Sequence, residues 1–237
     1  MAISWGVNAI DALNTFKNNL DFSYLLGILS GVIPSLICIT LHELSHGLVA
    51  YRLGDDTAKK AGRLTLNPLK HLDPIGLLML LTVHFGWAKP VPVNMYKFKD
   101  PKRGMAITAL AGPVSNVVIT IVFLILYGAL FIPLQGSAVG EYILDMLELT
   151  AYMSMGYAIF NILPVPPLDG SKVLFSILPD ESYRTLMRYE RYGGIVLMAM
   201  VWSGVLGKPL SAAIRWAYMH LLPLAQWSCD LVKALFY

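Results

Sequence analysis

The stretch 24-YLLGILSGVIPSLICITLHELSHGLVAYR-52 combines a long apolar run with several ionisable side chains. Most residues before position 42 are apolar, and about 20 such residues in a helix cross the hydrocarbon core of a bilayer. The second half, however, carries His42, Glu43 and His46, which match the H-E-x-x-H pattern of zinc hydrolases. Ionisable residues inside membrane helices are rare and usually functional. The stretch therefore predicts a membrane helix that contributes to a metal centre.

The composition of the whole chain also indicates a membrane protein. Of its 237 residues, 56% are hydrophobic and 14% are charged, whereas soluble domains carry about 25% charged residues. Besides residues 24–51, four segments are long enough or nearly long enough to span: 104–132, 141–163, 192–207 and 210–233. We expect an all-α polytopic membrane protein with about five to six transmembrane helices. A three-helix core would lie within a single domain over residues 1–237.

Two segments fit no full span. Residues 75–87 are apolar but short, and the prolines of 88-AKPVPVN-94 prevent a helix from continuing. We expect a re-entrant or β-like element there, between the first two core helices, because non-helical backbone at membrane depth has to line a cavity or be covered by protein. Residues 1–20 place apolar residues at helical spacing. This pattern favours an interfacial helix on the membrane surface, with a frayed terminus as the alternative.

The basic residues set the expected orientation. Ten of the 18 Lys and Arg residues lie between positions 52 and 103, four lie between 170 and 191, and the connection near 133–140 has none. Basic connections stay on the cytoplasmic side. We therefore expect a multi-pass protein of the plasma membrane with an active site that opens toward the cytoplasm. Topology accounts for these basic clusters, so we expect no nucleic-acid partner.

The H-E-x-x-H residues supply part of a zinc site. His42 and His46 are four residues apart and project from one face of a helix. Both imidazoles can therefore bind one zinc ion, with Zn–N distances of about 2.0–2.1 Å. Glu43 lies beside the metal, where it can deprotonate a bound water. Because a catalytic zinc needs a third protein ligand, another residue has to complete the site.

Asp169 is the best-placed third ligand. It lies in 161-NILPVPPLDG-170, where the third core span reaches the cytoplasmic side and prolines break the helix. Glu141 and Glu148 fall at the opposite end of that span. His71 and Asp73 in 70-KHLDP-74 are rival ligands on the correct side. We choose Asp169 and expect one zinc ion per chain.

These stretches together resemble the site-2 protease family of intramembrane zinc metalloproteases, peptidase family M50. The resemblance rests on H-E-L-S-H at 42–46, on N-I-L-P-V-P-P-L-D-G at 161–170 and on A-G-P-V-S-N at 111–116. The stretches GRLTLNPLKHLDPIG and GWAKPVPVN resemble a compact bacterial subgroup without PDZ or CBS domains. The resemblance covers residues 24–178, the expected catalytic core. The expected C-terminal helices in 180–237 carry no motif of the family.

The resemblance implies roles for the residues of these motifs. His42, His46 and Asp169 would bind zinc, and Glu43 would be the general base. Asn161 and Asn116 would position the substrate backbone or stabilise the oxyanion, although interhelical hydrogen bonding is an equal alternative for Asn116.

The expected substrate is a transmembrane helix of another protein in the lipid bilayer, unwound before cleavage. The alternatives are a metal transporter and a non-proteolytic adaptor. The chain has no internal repeat of the kind that transporters often show. The intact ligand set and Glu43 argue against the adaptor.

Overall fold

The computed structural model describes residues 22–76 and 88–236, and within these ranges the chain is helical. No β-strand occurs there, and one isolated antiparallel bridge joins Leu72 to Ala88. Two 3₁₀ helices, Pro68–Lys70 and Met95–Lys97, lie between the first long helices. The α-helices are α1 (Phe22–Arg52), α2 (Thr57–Lys60), α3 (Pro101–Leu134), α4 (Ala138–Asn161), α5 (Asp169–Ser176), α6 (Asp180–Trp202), α7 (Gly207–Leu221) and α8 (Pro223–Phe236).

Long apolar helices identify the chain as a membrane protein. In the described ranges, Ser30–Arg52 of α1 and Pro101–Leu134, all of α3, are long and apolar enough to cross a bilayer. A third span results if Tyr192–Trp202 and Gly207–Phe236, which meet at 88°, are taken together. The expected number of five to six spans is therefore not confirmed. Two features count against a larger number of spans: the acidic residues in the first half of α4 and the sharp bend after α6.

The predicted core segments agree with the helices. Residues 24–51 lie within α1, residues 104–132 lie within α3, and most of 141–163 lies in α4. The predicted helix over 210–233 is instead divided at Leu222. Pro223 begins α8, since a proline is well suited to the first position of a helix but cannot continue one.

Two further predictions lie outside the described residues. They are the interfacial helix of residues 1–20 and nearly all of the re-entrant run 75–87. The residues on either side of that run are described, and the two flanking segments lie next to each other. The backbone carbonyl oxygen of His71 accepts a hydrogen bond from the backbone N–H of Lys89 at 2.9 Å, next to the Leu72–Ala88 bridge.

Helix α3 is the centre of the bundle and packs against α1, α4, α5 and α8. A small residue allows the closest of these approaches, because a Cβ at Gly128 would lie 1.9 Å from the Ala225 carbonyl oxygen of α8. Such close backbone contacts at small residues are how membrane helices associate. The core cluster combines α3, α4, α7 and α8 and consists of Leu124, Ala151, Met155, Tyr218 and Ala225.

A buried carboxylate ties the segment after α1 to the segment before α3. Asp55 is fully buried, and its side chain accepts hydrogen bonds from the backbone N–H of Thr57 at 3.0 Å and of Asn94 at 2.6 Å. The Thr57 hydroxyl donates to the same carboxylate. Arg63 adds a second tie, since its Nη2 donates to the Lys89 carbonyl oxygen at 2.6 Å. These contacts hold residues 88–94 against the segment that follows α1.

Replacing Asp55 by Asn tests this tie. Burial acts to raise the pKa of the Asp55 carboxyl, but hydrogen bonds from Thr57 and Asn94 outweigh it, and the pKa lies below its ordinary value. The ionised carboxylate therefore stabilises the fold above the ordinary pKa of about 3.9, and this contribution is lost as the pH falls. We expect D55N to lose about 1.5–3 kcal/mol at pH 7.

The measurement is thermal unfolding of the detergent-purified protein between pH 3 and pH 7. The difference between the wild type and D55N should shrink toward pH 3. An equal difference at every pH would show that the charge of Asp55 does not stabilise the loop.

Candidate metal centre

The candidate centre lies where α1 and α5 meet against α3. His42 and His46 are one turn apart on α1, and Asp169 is the first residue of α5. The two histidine Nε2 atoms are 3.0 Å apart, and each is 3.1 Å from Asp169 Oδ2. All three residues are buried, with 7–8% of their surface exposed. Among the described residues they are the one group of side chains arranged to hold a metal ion.

The geometry and chemistry of this group fit zinc. Tetrahedral zinc with bonds of about 2.0–2.1 Å holds its ligand atoms about 3.3 Å apart. The observed separations of 3.0–3.1 Å are only slightly shorter. His46 Nδ1 donates to the Thr108 carbonyl oxygen at 2.7 Å. In a neutral imidazole this leaves the lone pair on Nε2, the atom that faces the other two ligands.

Gly112 of α3 provides the space at these ligand atoms. A Cβ at Gly112 would lie 2.4 Å from His46 Nε2 and 2.5 Å from His42 Cε1. Any side chain here would therefore occupy the region that the ligand atoms face. Sequence reasoning recorded Gly112 only as a letter of the A-G-P-V-S-N motif, without a role.

Glu43 lies beside the three ligands and is half-buried. Its Oε2 accepts the backbone N–H of Val91 at 2.8 Å. The hydrogen bond fixes one carboxylate oxygen and leaves the other able to accept a proton from water, as a general base requires. The segment 88–94, expected to line a cavity, thus directly contacts the expected base.

A cavity of about 880 Å³ opens onto the three ligands and Glu43. Its wall is mostly apolar and includes Leu36 and Ile39 of α1, Met105 of α3, and Phe160 of α4. Asn161 also lines the cavity at the end of α4. Its Nδ2 donates to the Tyr157 carbonyl oxygen at 3.0 Å. The expected role of Asn161 toward the substrate or the oxyanion stays a prediction.

Asn116 lies against a ligand of the centre. It is fully buried on α3, and its Nδ2 is 3.1 Å from His42 Nδ1. His42 Nδ1 is the ring nitrogen that does not face Asp169. The structure therefore brings Asn116 to the metal ligand itself, whereas its expected contact with the substrate backbone or oxyanion stays a prediction.

The rival ligands are engaged elsewhere. His71 is 1% exposed, and its Nε2 is 2.9 Å from the Thr65 carbonyl oxygen. Asp73 Oδ1 accepts the backbone N–H groups of Ile75 and Gly76, both at 2.9 Å. Neither residue belongs to the group that could hold a metal in the described ranges.

Several residues of the site were missed by the sequence analysis. Lys172 lines the cavity, and its Nζ is 3.8 Å from Asp169 Oδ1. Its position three residues after Asp169 was the available signal, but the charge was assigned to membrane topology alone. Gly194, Leu197 and Met198 of α6 also line the cavity. No motif marks that helix, so only the packing of the chain assigns it to the wall.

Known relatives of this chain carry names that describe them, provisionally, as zinc metalloproteases. The family model of Peptidase family M50 matches residues 128–206. YwhC of Bacillus subtilis is 36% identical over 195 residues, which are 80% of this chain and 85% of that protein. Rip2 of Mycolicibacterium smegmatis is 30% identical over 188 residues, 77% of this chain and 70% of that protein. MJ0611 of Methanocaldococcus jannaschii is 33% identical over 157 residues, 65% of this chain and 73% of that protein. No solved structure matches this chain.

Replacing Gly112 by Ala should abolish metal binding. The added methyl group would fill the space at His46 Nε2 and push α3 away from α1. Gly156→Ala is the matched control, because a Cβ there would meet only Ile214 Cδ1, at 3.7 Å. We expect near-stoichiometric zinc in the wild type and in G156A and little in G112A, measured by elemental analysis of detergent-purified protein. Full zinc content in G112A would exclude the proposed position of the metal.

Proposed function

Because the chain belongs to peptidase family M50, the site-2 protease family, we propose that it is a zinc-dependent endopeptidase that cleaves transmembrane segments of other membrane proteins. The observation that carries this proposal is the group of His42, His46 and Asp169, with Glu43 beside it, on long apolar helices. A hydrolytic centre within such helices is placed to act on peptides that enter the membrane.

Each residue of the centre has a role in the proposed reaction. His42, His46 and Asp169 would hold one zinc ion per chain, and that ion would supply Lewis acidity and lower the pKa of a bound water. Glu43 would take a proton from the attacking water and pass it to the leaving nitrogen. The Val91 N–H keeps the Glu43 carboxylate in place during this transfer.

The depth of the centre supports a membrane substrate. Glu43 is nine residues before Arg52, the last residue of α1, which at 1.5 Å per residue is about 14 Å inside the end of the helix. The mostly apolar cavity suits the side chains of a transmembrane segment. A helical substrate has to unwind before attack, because its carbonyl groups are engaged in i→i−4 hydrogen bonds.

Residues 88–94 offer a partner for the unwound substrate. This segment is not helical and borders the cavity through Pro90, Val91 and Val93. An extended peptide could add alongside it as a strand, with backbone hydrogen bonds supplying affinity. We further propose that the protein resides in the plasma membrane with the cavity open to the cytoplasm, as the basic connections indicate.

Glu43→Gln separates catalysis from metal binding. Gln keeps the size of the side chain but cannot take a proton. The rate of cleavage should therefore fall by about 100- to 10,000-fold while zinc stays bound. The measurement is cleavage of a membrane-inserted test peptide in liposomes, followed by gel electrophoresis, with zinc content determined on the same samples. Asp169→Ala is the complementary variant and should lose both zinc and cleavage.

Cleavage by E43Q at the wild-type rate would contradict the general-base role. Zinc binding by the wild type without cleavage of any membrane-inserted peptide would favour a transporter or an adaptor instead. Zinc retained by D169A would indicate that His71 or Asp73 supplies the third ligand.

Val91→Pro tests the hydrogen bond to Glu43. Proline removes the backbone N–H while keeping an extended backbone in the run 88-AKPVPVN-94. A hydrogen bond to a charged group contributes about 1.5–3 kcal/mol, so kcat should fall about tenfold or more. Val93→Pro makes the same chemical change two residues along and leaves the Glu43 contact intact, so its kcat should fall less. Equal kcat values in V91P and V93P would show that the Val91 N–H does not orient the base.

A further inference from the structure

Asn116 is in an unusual environment for an amide side chain. It is 0% exposed, in the middle of α3. Its Nδ2 faces His42 Nδ1 at 3.1 Å. Its Oδ1 is also buried, and no donor from the described residues reaches it. A buried polar atom without a partner costs free energy, so this orientation of the amide leaves the site incompletely satisfied.

The chemistry of a metal-bound histidine favours the opposite orientation. When the Nε2 atom of a neutral imidazole binds a metal, its Nδ1 carries the hydrogen and requires an acceptor. An amide nitrogen is a donor and cannot serve, whereas an amide oxygen can. The two ends of an Asn amide have nearly the same shape and exchange places by rotation of the side chain. After this rotation, Oδ1 would accept the His42 Nδ1–H.

We propose that Asn116 is a positioning residue for the metal centre: its side-chain oxygen accepts the His42 Nδ1–H and keeps the Nε2 lone pair directed at the zinc ion. This inference rests on the metal site of the proposed function, but not on peptide hydrolysis. It gives Asn116 a role different from contact with the substrate or oxyanion.

The arrangement of α3 supports the proposal. Thr108, Gly112 and Asn116 are spaced four residues apart and therefore share one face of the helix. The Thr108 carbonyl oxygen accepts the Nδ1–H of His46 at 2.7 Å. Asn116 stands in the corresponding position for His42, and Gly112 lies between them against both rings. One face of α3 thus provides an outer acceptor for each histidine.

The backbone of Asn116 is tied separately from its side chain. The Asn116 carbonyl oxygen accepts hydrogen bonds from Ser154 Oγ of α4 at 2.8 Å and from Thr120 Oγ1 at 3.0 Å. These contacts fix the helix at this position. The amide group is then held against His42 by packing, which is what a positioning residue requires.

The test compares three variants by zinc affinity, measured by competition with a chelator in detergent at neutral pH. Asn116→Ala removes the acceptor, and we expect a 10- to 100-fold weaker affinity, as for other outer partners of metal-bound histidines. Asn116→Asp keeps an acceptor oxygen but has no amide donor, and we expect an affinity within about threefold of the wild type. Thr150→Val is the control: it removes a buried hydroxyl that donates within α4 to the Met146 carbonyl oxygen, and its affinity should equal that of the wild type.

Cobalt provides a second measurement that general destabilisation would not change. The visible absorption bands of bound Co²⁺ report ligand geometry, so N116D and T150V should match the wild-type spectrum while N116A should differ. Weak binding by a folded N116D, equal to that of N116A, would overturn the proposal, because the amide would then be needed as a donor. Wild-type affinity in N116A would overturn it as well.

The outcomes for this inference and for the proposed function are separate. Absence of zinc in the wild type and in every variant would overturn both. Zinc bound with the expected order of affinities, but without cleavage of any test peptide, would support the role of Asn116 and contradict the protease. If N116A does not fold, N116D decides alone: retained affinity supports the acceptor role, and lost affinity overturns it.

Discussion

The whole candidate centre depends on how closely α1 and α3 cross. The crossing occurs at Gly112, where a Cβ would lie 2.4 Å from His46 Nε2. Only a residue without a side chain allows this approach, which is why small residues are common where membrane helices meet. The same closeness brings the Thr108 carbonyl oxygen to His46 and the Asn116 amide to His42. Separation of the two helices would therefore break both outer contacts of the histidines at once.

Burial of charged and polar groups in an apolar bundle is the second constraint. Asp169 is 8% exposed, and a carboxylate in such surroundings needs positive charge and hydrogen bonds nearby. Two histidines at 3.1 Å and Lys172 at 3.8 Å surround it. The proposed zinc ion would supply the remaining charge. Membrane proteins retain such groups where function requires them, since each one is costly in hydrocarbon.

The elements around the centre connect catalysis to access. Asp55 and Arg63 hold the segment 88–94 against the chain that follows α1, and this segment reaches Glu43 of α1 through the Val91 N–H. Helix α6, for which no motif predicted a role, forms part of the cavity wall. It approaches the proline-rich turn after α4 closely, because a Cβ at Gly193 would lie 2.4 Å from Pro166 Cβ. The turn that leads to Asp169 is therefore held from outside the motif-bearing part of the chain.

Features that depend on local spacing can be predicted from the chain without knowledge of its packing. Apolar length predicts α1 and α3, the i, i+4 spacing places His42 and His46 on one face, and a proline-broken helix end indicates Asp169. Which distant faces meet depends instead on long-range packing. The contact of His46 with Thr108 joins residues 62 positions apart, and that of His42 with Asp169 joins residues 127 positions apart. Periodicity in one helix carries no information about its partner's register. For this reason the roles of Gly112, of the Val91 N–H and of α6 became visible only in the folded chain.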